Sequence, residues 1–128
     1  MKVKITHIGV YTKDLERMKA FYIKYFGAIS NEKYINDKGF SSYFLTLSTE
    51  VRLEIMSHTQ LEGREVLDKV NGISHIALSV GSKEEVIALT ERIVSDGYLL
   101  YSKPLETGDG YFESVVADPD GNRIEITE

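Results

Sequence analysis

Cysteine is absent from this sequence of 128 residues. Without cysteine the chain has no disulfides, no thiolate metal sites, no iron–sulfur clusters and no cysteine nucleophile. Any metal site in this protein must therefore be built from histidine and carboxylate ligands.

Long hydrophobic runs and basic runs are also missing. No segment approaches the roughly 18 apolar residues that a membrane span requires, and residues 1–10 alternate charged and apolar types instead of forming a signal peptide. The 20 acidic and 15 basic residues are scattered, and their net charge of −5 includes no basic cluster that could follow a phosphate backbone. We therefore expect a cytoplasmic protein that binds neither nucleic acid nor membranes.

What the chain does contain is an internal repeat. Residues 5–10 and 73–80 are β-leaning runs, and each precedes a segment with apolar residues at helical spacing. We predict a first helix from the N-cap Asp14 to residue 26, and a second that opens with the capping box at residues 82–85. Gly27 and Gly97 suit the left-handed position that ends a helix.

Strand-like stretches follow each glycine, and their order makes each half read β-α-β-β-β. The predicted strands cover residues 28–34, 42–48 and 51–56 in the first half, and 98–101, 112–117 and 122–127 in the second, with final turns at 48–50 and 118–121. Neither half can bury a sheet face alone, so we expect an α+β fold in which two halves pair around a shared cleft. The expected layout is a single domain, with module 1 at about residues 1–56, a linker at about 57–72 and module 2 at about 73–128.

Strand alternation places four polar residues opposite the aliphatic faces. His7 opposes Ile8, and Glu54 opposes Leu53. The second half repeats the pattern, so His7, Glu54, His75 and Glu125 all project from the face that is not packed on a helix. A single strand histidine is usually a hydrogen-bonded histidine and a single glutamate a solvated one, but the recurrence of His and then Glu in both halves favours metal ligation.

Two imidazoles and two carboxylates suit a divalent ion such as zinc, nickel or cobalt, with positions left for water or substrate oxygens. Arg52 and Arg123 share these strand faces and are either solvated charges or a means of attracting an anionic substrate. His58 has no counterpart in the second half, and we interpret it as a loop residue, with cleft contact as the alternative. Aromatic residues such as Tyr43 and Phe44 are expected in the core or an interface.

These residues give the sequence a resemblance to the vicinal oxygen chelate superfamily, especially bacterial glyoxalase I and its glyoxalase-like relatives. The matching segments span nearly the whole chain: HIGVYTKDL at 7–15, VRLEI at 51–55, SHIALSV at 74–80 and DPDGNRIEI at 118–126. The resemblance implies paired βαβββ modules that form a curved mixed sheet around a concave cleft. It also implies that His7, Glu54, His75 and Glu125 are the metal ligands, and that the protein forms a homodimer.

The function implied by the resemblance is a metal-dependent lyase or isomerase of glyoxalase type. Its small substrate would be an α-hydroxycarbonyl compound or a hemithioacetal, converted by proton transfer through a metal-stabilised enediolate. Glu125 would move the proton, with Glu54 as the second candidate. Tyr11 and His58 stand where glyoxalase I usually has the Arg and Asn that hold glutathione. These two residues are therefore candidate substrate contacts, and the resemblance leaves open which thiol, if any, is the cofactor. The alternatives are a binding or resistance protein that sequesters a drug or metabolite, and an iron-dependent ring-cleaving dioxygenase.

Overall fold

A computed structural model describes residues 1–48, 50–65 and 69–128. The chain divides into two compact units, Met1–Arg64 and Glu65–Glu128, which we call module 1 and module 2. The boundary falls inside the predicted linker at 57–72. Residues 66–68 of that linker, and Thr49 of the turn predicted at 48–50, lie outside the described residues. The assignment of the whole chain to a single domain stays a prediction.

Each module combines one helix with a mixed sheet, which confirms the α+β class. Module 1 contains β1 (His7–Tyr11), α1 (Leu15–Phe26), β2 (Ile29–Ser30), β3 (Tyr34–Ile35), β4 (Phe40–Thr46) and β5 (Arg52–His58). Module 2 contains β6 (His75–Ser79), α2 (Lys83–Ser95), β7 (Leu100–Glu106), β8 (Phe112–Ala117) and β9 (Arg123–Thr127).

The strand expected over residues 28–34 is wrong in one respect, because the structure has two short strands, β2 and β3, in its place. The interruption centres on Asn31. Its backbone N–H donates to the carbonyl of Phe44 at 3.2 Å, and its side-chain Oδ1 accepts the N–H of Phe44 at 2.8 Å. Since a side-chain oxygen takes the place of a backbone acceptor, the regular ladder ends there.

The sheet of module 1 has the order β1-β5-β4-β2, with β3 also paired to β4. Strands β1 and β5 run parallel, whereas β4 and β5 run antiparallel. Helix α1 packs on β4 and β5. The core between them is apolar and formed by Leu15, Met18, Phe21, Tyr22, Tyr25, Tyr43, Leu45, Leu53 and Ile55.

Module 2 has a sheet of order β6-β9-β8-β7, in which β6 and β9 are parallel and the other pairs antiparallel. Helix α2 packs mainly on β8, and also on β7 and β9. The core is formed by Val86, Leu89, Ile93, Val116, Ala117, Ile124 and Ile126. In each module the first and last strands along the chain are parallel neighbours, and this pairing brings the two ends of the module side by side.

Helix ends follow the predicted capping chemistry. The Asp14 side chain accepts the N–H of Arg17, and the Ser82 side chain accepts the N–H of Glu85, so each helix begins with a satisfied first turn. Gly27 ends α1 with a φ of 64°, a left-handed conformation that a Cβ would disfavour. Among the described residues, no helix is long and apolar enough to cross a membrane.

Candidate functional site

The parallel pairing of β1 with β5 brings His7 and Glu54 together. In this register His7 lies beside Arg52 and Gly9 lies beside Glu54. The His7 Nε2 and the Glu54 Oε2 are 3.4 Å apart. Leu53, the neighbour of Glu54, points the other way and is buried. We call the sheet face that carries His7 and Glu54 the site face of module 1.

Module 2 repeats this arrangement with β6 and β9. His75 lies beside Arg123 in the register, and Ala77 lies beside Glu125. The His75 Nε2 and the Glu125 Oε2 are 3.3 Å apart. The face that carries this pair is the site face of module 2. The predicted recurrence of a His–Glu pair in each half is therefore present as a pair of contacts with matching atoms and matching distances.

A hydroxyl group contacts the other nitrogen of each imidazole. Thr6 Oγ1 lies 3.0 Å from Nδ1 of His7, and Ser74 Oγ lies 3.1 Å from Nδ1 of His75. When Nδ1 donates its hydrogen to the hydroxyl, Nε2 carries the lone pair and faces the glutamate. A partner of this kind orients an imidazole that serves as a metal ligand. The sequence signal was available, because a hydroxyl residue directly precedes both histidines.

The distances within the two pairs are those of an ion pair, and they also equal the spacing of two ligands on one metal ion. A charge-assisted N–H···O hydrogen bond measures about 2.7–2.9 Å, shorter than either contact. Two ligand atoms each about 2.0–2.2 Å from one tetrahedral ion lie roughly 3.4 Å apart. The observed separations of 3.4 and 3.3 Å match that spacing. The histidine side chains are 42% exposed and the glutamates 17% and 19%, so an ion can reach them from solvent.

The structure describes these four residues as two pairs. Among residues 1–48, 50–65 and 69–128, no group of three or more His, Asp or Glu side chains has an arrangement that could hold a metal ion. The sharing of one ion by all four residues therefore stays a prediction.

Each site face also carries an arginine stacked on an aromatic ring. The guanidinium carbon of Arg52 lies 4.4 Å from the centre of the Phe44 ring, and that of Arg123 lies 4.1 Å from the centre of the Tyr101 ring. Such cation–π contacts hold a guanidinium in place while its N–H groups can still donate in the ring plane. The two predicted substrate-binding arginines thus have matching supports in the two modules.

Phe44 lies outside the core, so an interface is the part of its expected location that stays a prediction. It was expected in the core or an interface, together with Tyr43. Tyr43 does lie in the core, but Phe44 is half-buried on the site face, where its ring centre lies 5.5 Å from that of His7 at an interplanar angle of 82°. Strand alternation alone separates these two neighbours.

Module 2 has a second carboxylate beside its His–Glu pair, and the sequence reasoning did not single it out. A hydrogen bond with Glu125 raises the pKa of Glu113 to about 7, assisted by desolvation and by the negative charges of Glu125 and Asp109, against a smaller lowering by His75. Near neutral pH Glu113 is therefore partly protonated and can donate a hydrogen bond to Glu125. Strand parity places Glu113 and Val115 on one face of β8, but only the structure shows that Val115 is paired with Glu125.

Tyr11 and His58 lie at the ends of the two strands that carry the first pair. Tyr11 is the last residue of β1, is paired with Met56 and is 54% exposed. His58 ends β5, so its interpretation as a loop residue is corrected: the strand continues two residues past the predicted end at 56. Its Nδ1 accepts the N–H of Gln60 at 3.0 Å, which fixes the ring at the start of the turn.

The chain also matches a known family model. Residues 4–126 fit the model described as Glyoxalase/Bleomycin resistance protein/Dioxygenase superfamily. The chain belongs to this superfamily. The match covers both modules and both His–Glu pairs, and it confirms the family resemblance inferred from the sequence motifs.

This chain resembles two proteins in sequence and one in structure. It is 29% identical over 84 residues to the uncharacterized protein YwkD of Bacillus subtilis, a stretch that covers 65% of this chain and 66% of that protein. It is 28% identical over 127 residues to a trivalent organoarsenical cleaving enzyme of Bacillus sp. MD1, covering 97% of this chain and 72% of the enzyme. In structure it resembles glyoxalase I of Zea mays with a TM-score of 0.79 at 23% identity, covering 97% of this chain but only 44% of the maize chain. That likeness shows a shared fold.

Proposed function

We propose that this protein is a metal-dependent lyase or isomerase of glyoxalase type, which acts on a small α-hydroxycarbonyl compound or hemithioacetal. The observation that carries the proposal is the pair of His–Glu contacts, each with the separation of two ligands on one ion. His7, Glu54, His75 and Glu125 would together hold a zinc, nickel or cobalt ion. Superfamily membership supports the proposal, because glyoxalase is one of the activities in the family description.

A divalent cation held by these residues supplies Lewis-acid polarisation of substrate oxygens. The remaining chemistry belongs to side chains of this protein. Glu125 is the proposed base that removes a carbon-bound proton and returns it to the neighbouring carbon, and Glu54 is the second candidate. The side chain of Glu113 hydrogen-bonds to Glu125, and this contact is the main cause of the raised pKa of Glu113.

Substrate binding is assigned to residues that accompany the His–Glu pairs. Arg52 and Arg123 are held on aromatic rings and would pair with an anionic group of the substrate. Tyr11 and His58 are the proposed contacts to the rest of the substrate. These two residues stand where glyoxalase I usually has the Arg and Asn that hold glutathione, so the identity of the thiol, if one is used, stays open. We also propose that the protein works as a homodimer.

The proposal is tested by metal analysis coupled to turnover. Purified protein should bind about one zinc, nickel or cobalt ion per chain, and His7→Ala and His75→Ala should each lower the affinity by at least about tenfold. Turnover is then measured with methylglyoxal hemithioacetals made from several thiols. Glu125→Gln should remove turnover, whereas Glu91→Gln, an exposed carboxylate of α2, serves as the matched control.

Three results would overturn the proposal. A protein without stoichiometric metal binding, whose Glu125→Gln form behaves like the parent, would be a sequestering protein and not an enzyme. A protein that binds metal but turns over none of the hemithioacetals would lose the lyase assignment. Iron binding together with tolerance of Glu54→Ala would point to a ring-cleaving dioxygenase instead.

Cleavage of a trivalent organoarsenical is a second candidate, favoured by the 28% identity to the Bacillus sp. MD1 enzyme over nearly the whole chain. Trivalent arsenic is a soft centre that prefers thiolate ligands, and this chain has no cysteine to offer one. We therefore place this candidate second. Release of arsenite from a trivalent methylated or aromatic arsenical by the metal-loaded protein, at a rate above that of the Glu125→Gln form, would reverse the order.

A further inference from the structure

Phe44 occupies a central position on the site face of module 1. In the antiparallel pairing of β4 and β5 it lies directly opposite Glu54. Its neighbours in β4, Tyr43 and Leu45, are buried on the other face of the sheet against α1. The Phe44 ring therefore lies on the same face of the sheet as Glu54 and away from the core.

The ring of Phe44 contacts two of the groups to which the proposed function assigns a role. Its centre lies 5.5 Å from the centre of the His7 imidazole, and the two planes are nearly perpendicular at 82°. The guanidinium carbon of Arg52 lies 4.4 Å from the same ring centre. One side chain with two rotatable bonds thus touches a proposed ligand and a proposed substrate-binding cation.

In module 2 no single aromatic ring contacts both the histidine and the arginine of the site face among the contacts described. The residue opposite Glu125 is Val115, which has no ring to set against an imidazole. Arg123 rests on Tyr101 of β7, and the Tyr101 hydroxyl donates to the carbonyl of Gly121 at 2.9 Å. The aromatic support of the arginine is therefore separate from the His–Glu pair in module 2, whereas in module 1 a single ring serves both.

We propose that Phe44 is a positioning residue, which fixes the imidazole of His7 and the guanidinium of Arg52 relative to Glu54. The inference rests on the proposed function. A perpendicular aromatic contact opposes rotation of the imidazole about its Cβ–Cγ bond, and the cation–π contact holds the guanidinium over the ring face. Because both contacts use one rigid ring, the ligand and the cation are held in a constant relation to each other.

The test compares Phe44→Leu, which removes the ring but keeps an apolar side chain, with Phe44→Tyr, which keeps the ring. Val115→Leu is the matched control, since it changes the equivalent position of module 2. The first readout is the NMR chemical shift of the His7 ring protons in metal-free protein, which a neighbouring ring displaces. The second is the affinity for Zn²⁺, measured by competition with a chromogenic chelator.

Phe44→Leu should return the His7 ring shifts toward those of an exposed histidine and lower the Zn²⁺ affinity by about 2- to 12-fold, the equivalent of an aromatic pair worth roughly 0.5–1.5 kcal/mol. Phe44→Tyr should keep both properties, and Val115→Leu should leave the His7 shifts unchanged. Dispersed amide spectra will show whether each variant is folded. If Phe44→Leu is unfolded, the His7 shifts and the Zn²⁺ affinity of Phe44→Tyr are compared with those of the parent instead.

Phe44→Leu with unchanged His7 shifts and unchanged Zn²⁺ affinity would overturn the inference, as would a Phe44→Tyr variant that loses both. Failure of the proposed function gives a different result. In that case the parent protein binds no Zn²⁺ at all, while the His7 shifts of the Leu variant still decide whether Phe44 holds the imidazole.

Discussion

Replacing Glu113 by Gln should change how the stability of this protein depends on pH. The hydrogen bond to Glu125, desolvation and nearby negative charge raise the pKa of Glu113 from 4.5 to about 7 in the folded protein. Between these two values the folded chain binds a proton at Glu113 that the unfolded chain does not. Folding stability from this group is therefore fully present below pH 4.5 and is lost as the pH rises through about 7.

The size of this effect follows from the interval between the two pKa values. At roughly 1.4 kcal/mol for each pH unit, the interval from 4.5 to about 7 sets an upper limit of about 3.5 kcal/mol. Glu113 is only half-buried, so solvent screens much of the interaction. We therefore expect a loss of about 1 kcal/mol between pH 4.5 and pH 8 that is specific to this carboxyl group.

Urea unfolding of metal-free protein at several pH values measures the loss. Gln mimics the protonated carboxyl, so the parent and Glu113→Gln should have similar unfolding free energies near pH 4.5, and the variant should be more stable by about 1 kcal/mol at pH 8. Glu91→Gln, on the exposed side of α2, should follow the parent at every pH. Parallel curves for the parent and Glu113→Gln would refute the reasoning.

Two further predictions concern module 1. The Tyr43 hydroxyl donates to Glu16 at 2.9 Å and is the main cause that lowers the pKa of Glu16. Tyr43→Phe should therefore lower the free energy of unfolding by about 0.5–1 kcal/mol at pH 7. Urea unfolding should show that this loss disappears when the pH falls below the pKa of Glu16 in the folded protein. A Cβ added at Gly9 would lie 2.9 Å from the Met56 methyl carbon, which is the far end of a flexible side chain and can move aside. Gly9→Ala should therefore be close to neutral in the parent, where the shift of Met56 offsets the gain, and stabilising by about 0.5 kcal/mol in a Met56→Ala background. Equal effects in both backgrounds of the double-mutant cycle would contradict this.

Much of the fold could be predicted because its signals are local. The helix caps at Asp14 and Ser82 depend on side chains within one turn, and the α+β order depends on the period of the apolar residues. Alternation along a single strand was likewise enough to place His7 and Glu54 on one face, and the structure brings their side chains together. Their role as ligands stays a prediction.

The surroundings of the pairs could not be predicted, because they depend on the register between strands. The two-residue period of a strand shows on which face of β4 Phe44 lies and on which face of β8 Glu113 lies. It does not show which residue of the neighbouring strand lies opposite each of them. The contact of Phe44 with His7 follows from the pairing of Phe44 with Glu54, and the raised pKa of Glu113 follows from its closeness to Glu125. The break of the sheet at Asn31 has the same origin, because its side chain finds its partner 13 residues away at Phe44.

The confinement of each His–Glu pair to two adjacent strands has a consequence for how such a protein can change. The pair in module 1 needs only β1 and β5, and the pair in module 2 needs only β6 and β9. A substitution on the third strand, β4 or β8, therefore changes the side chains that contact a pair without removing either member of the pair. The two copies already differ in this way, with Phe44 in one and Glu113 in the other. In a repeated architecture of this kind, a single substitution can give one His–Glu pair a new neighbour while the other pair keeps its own.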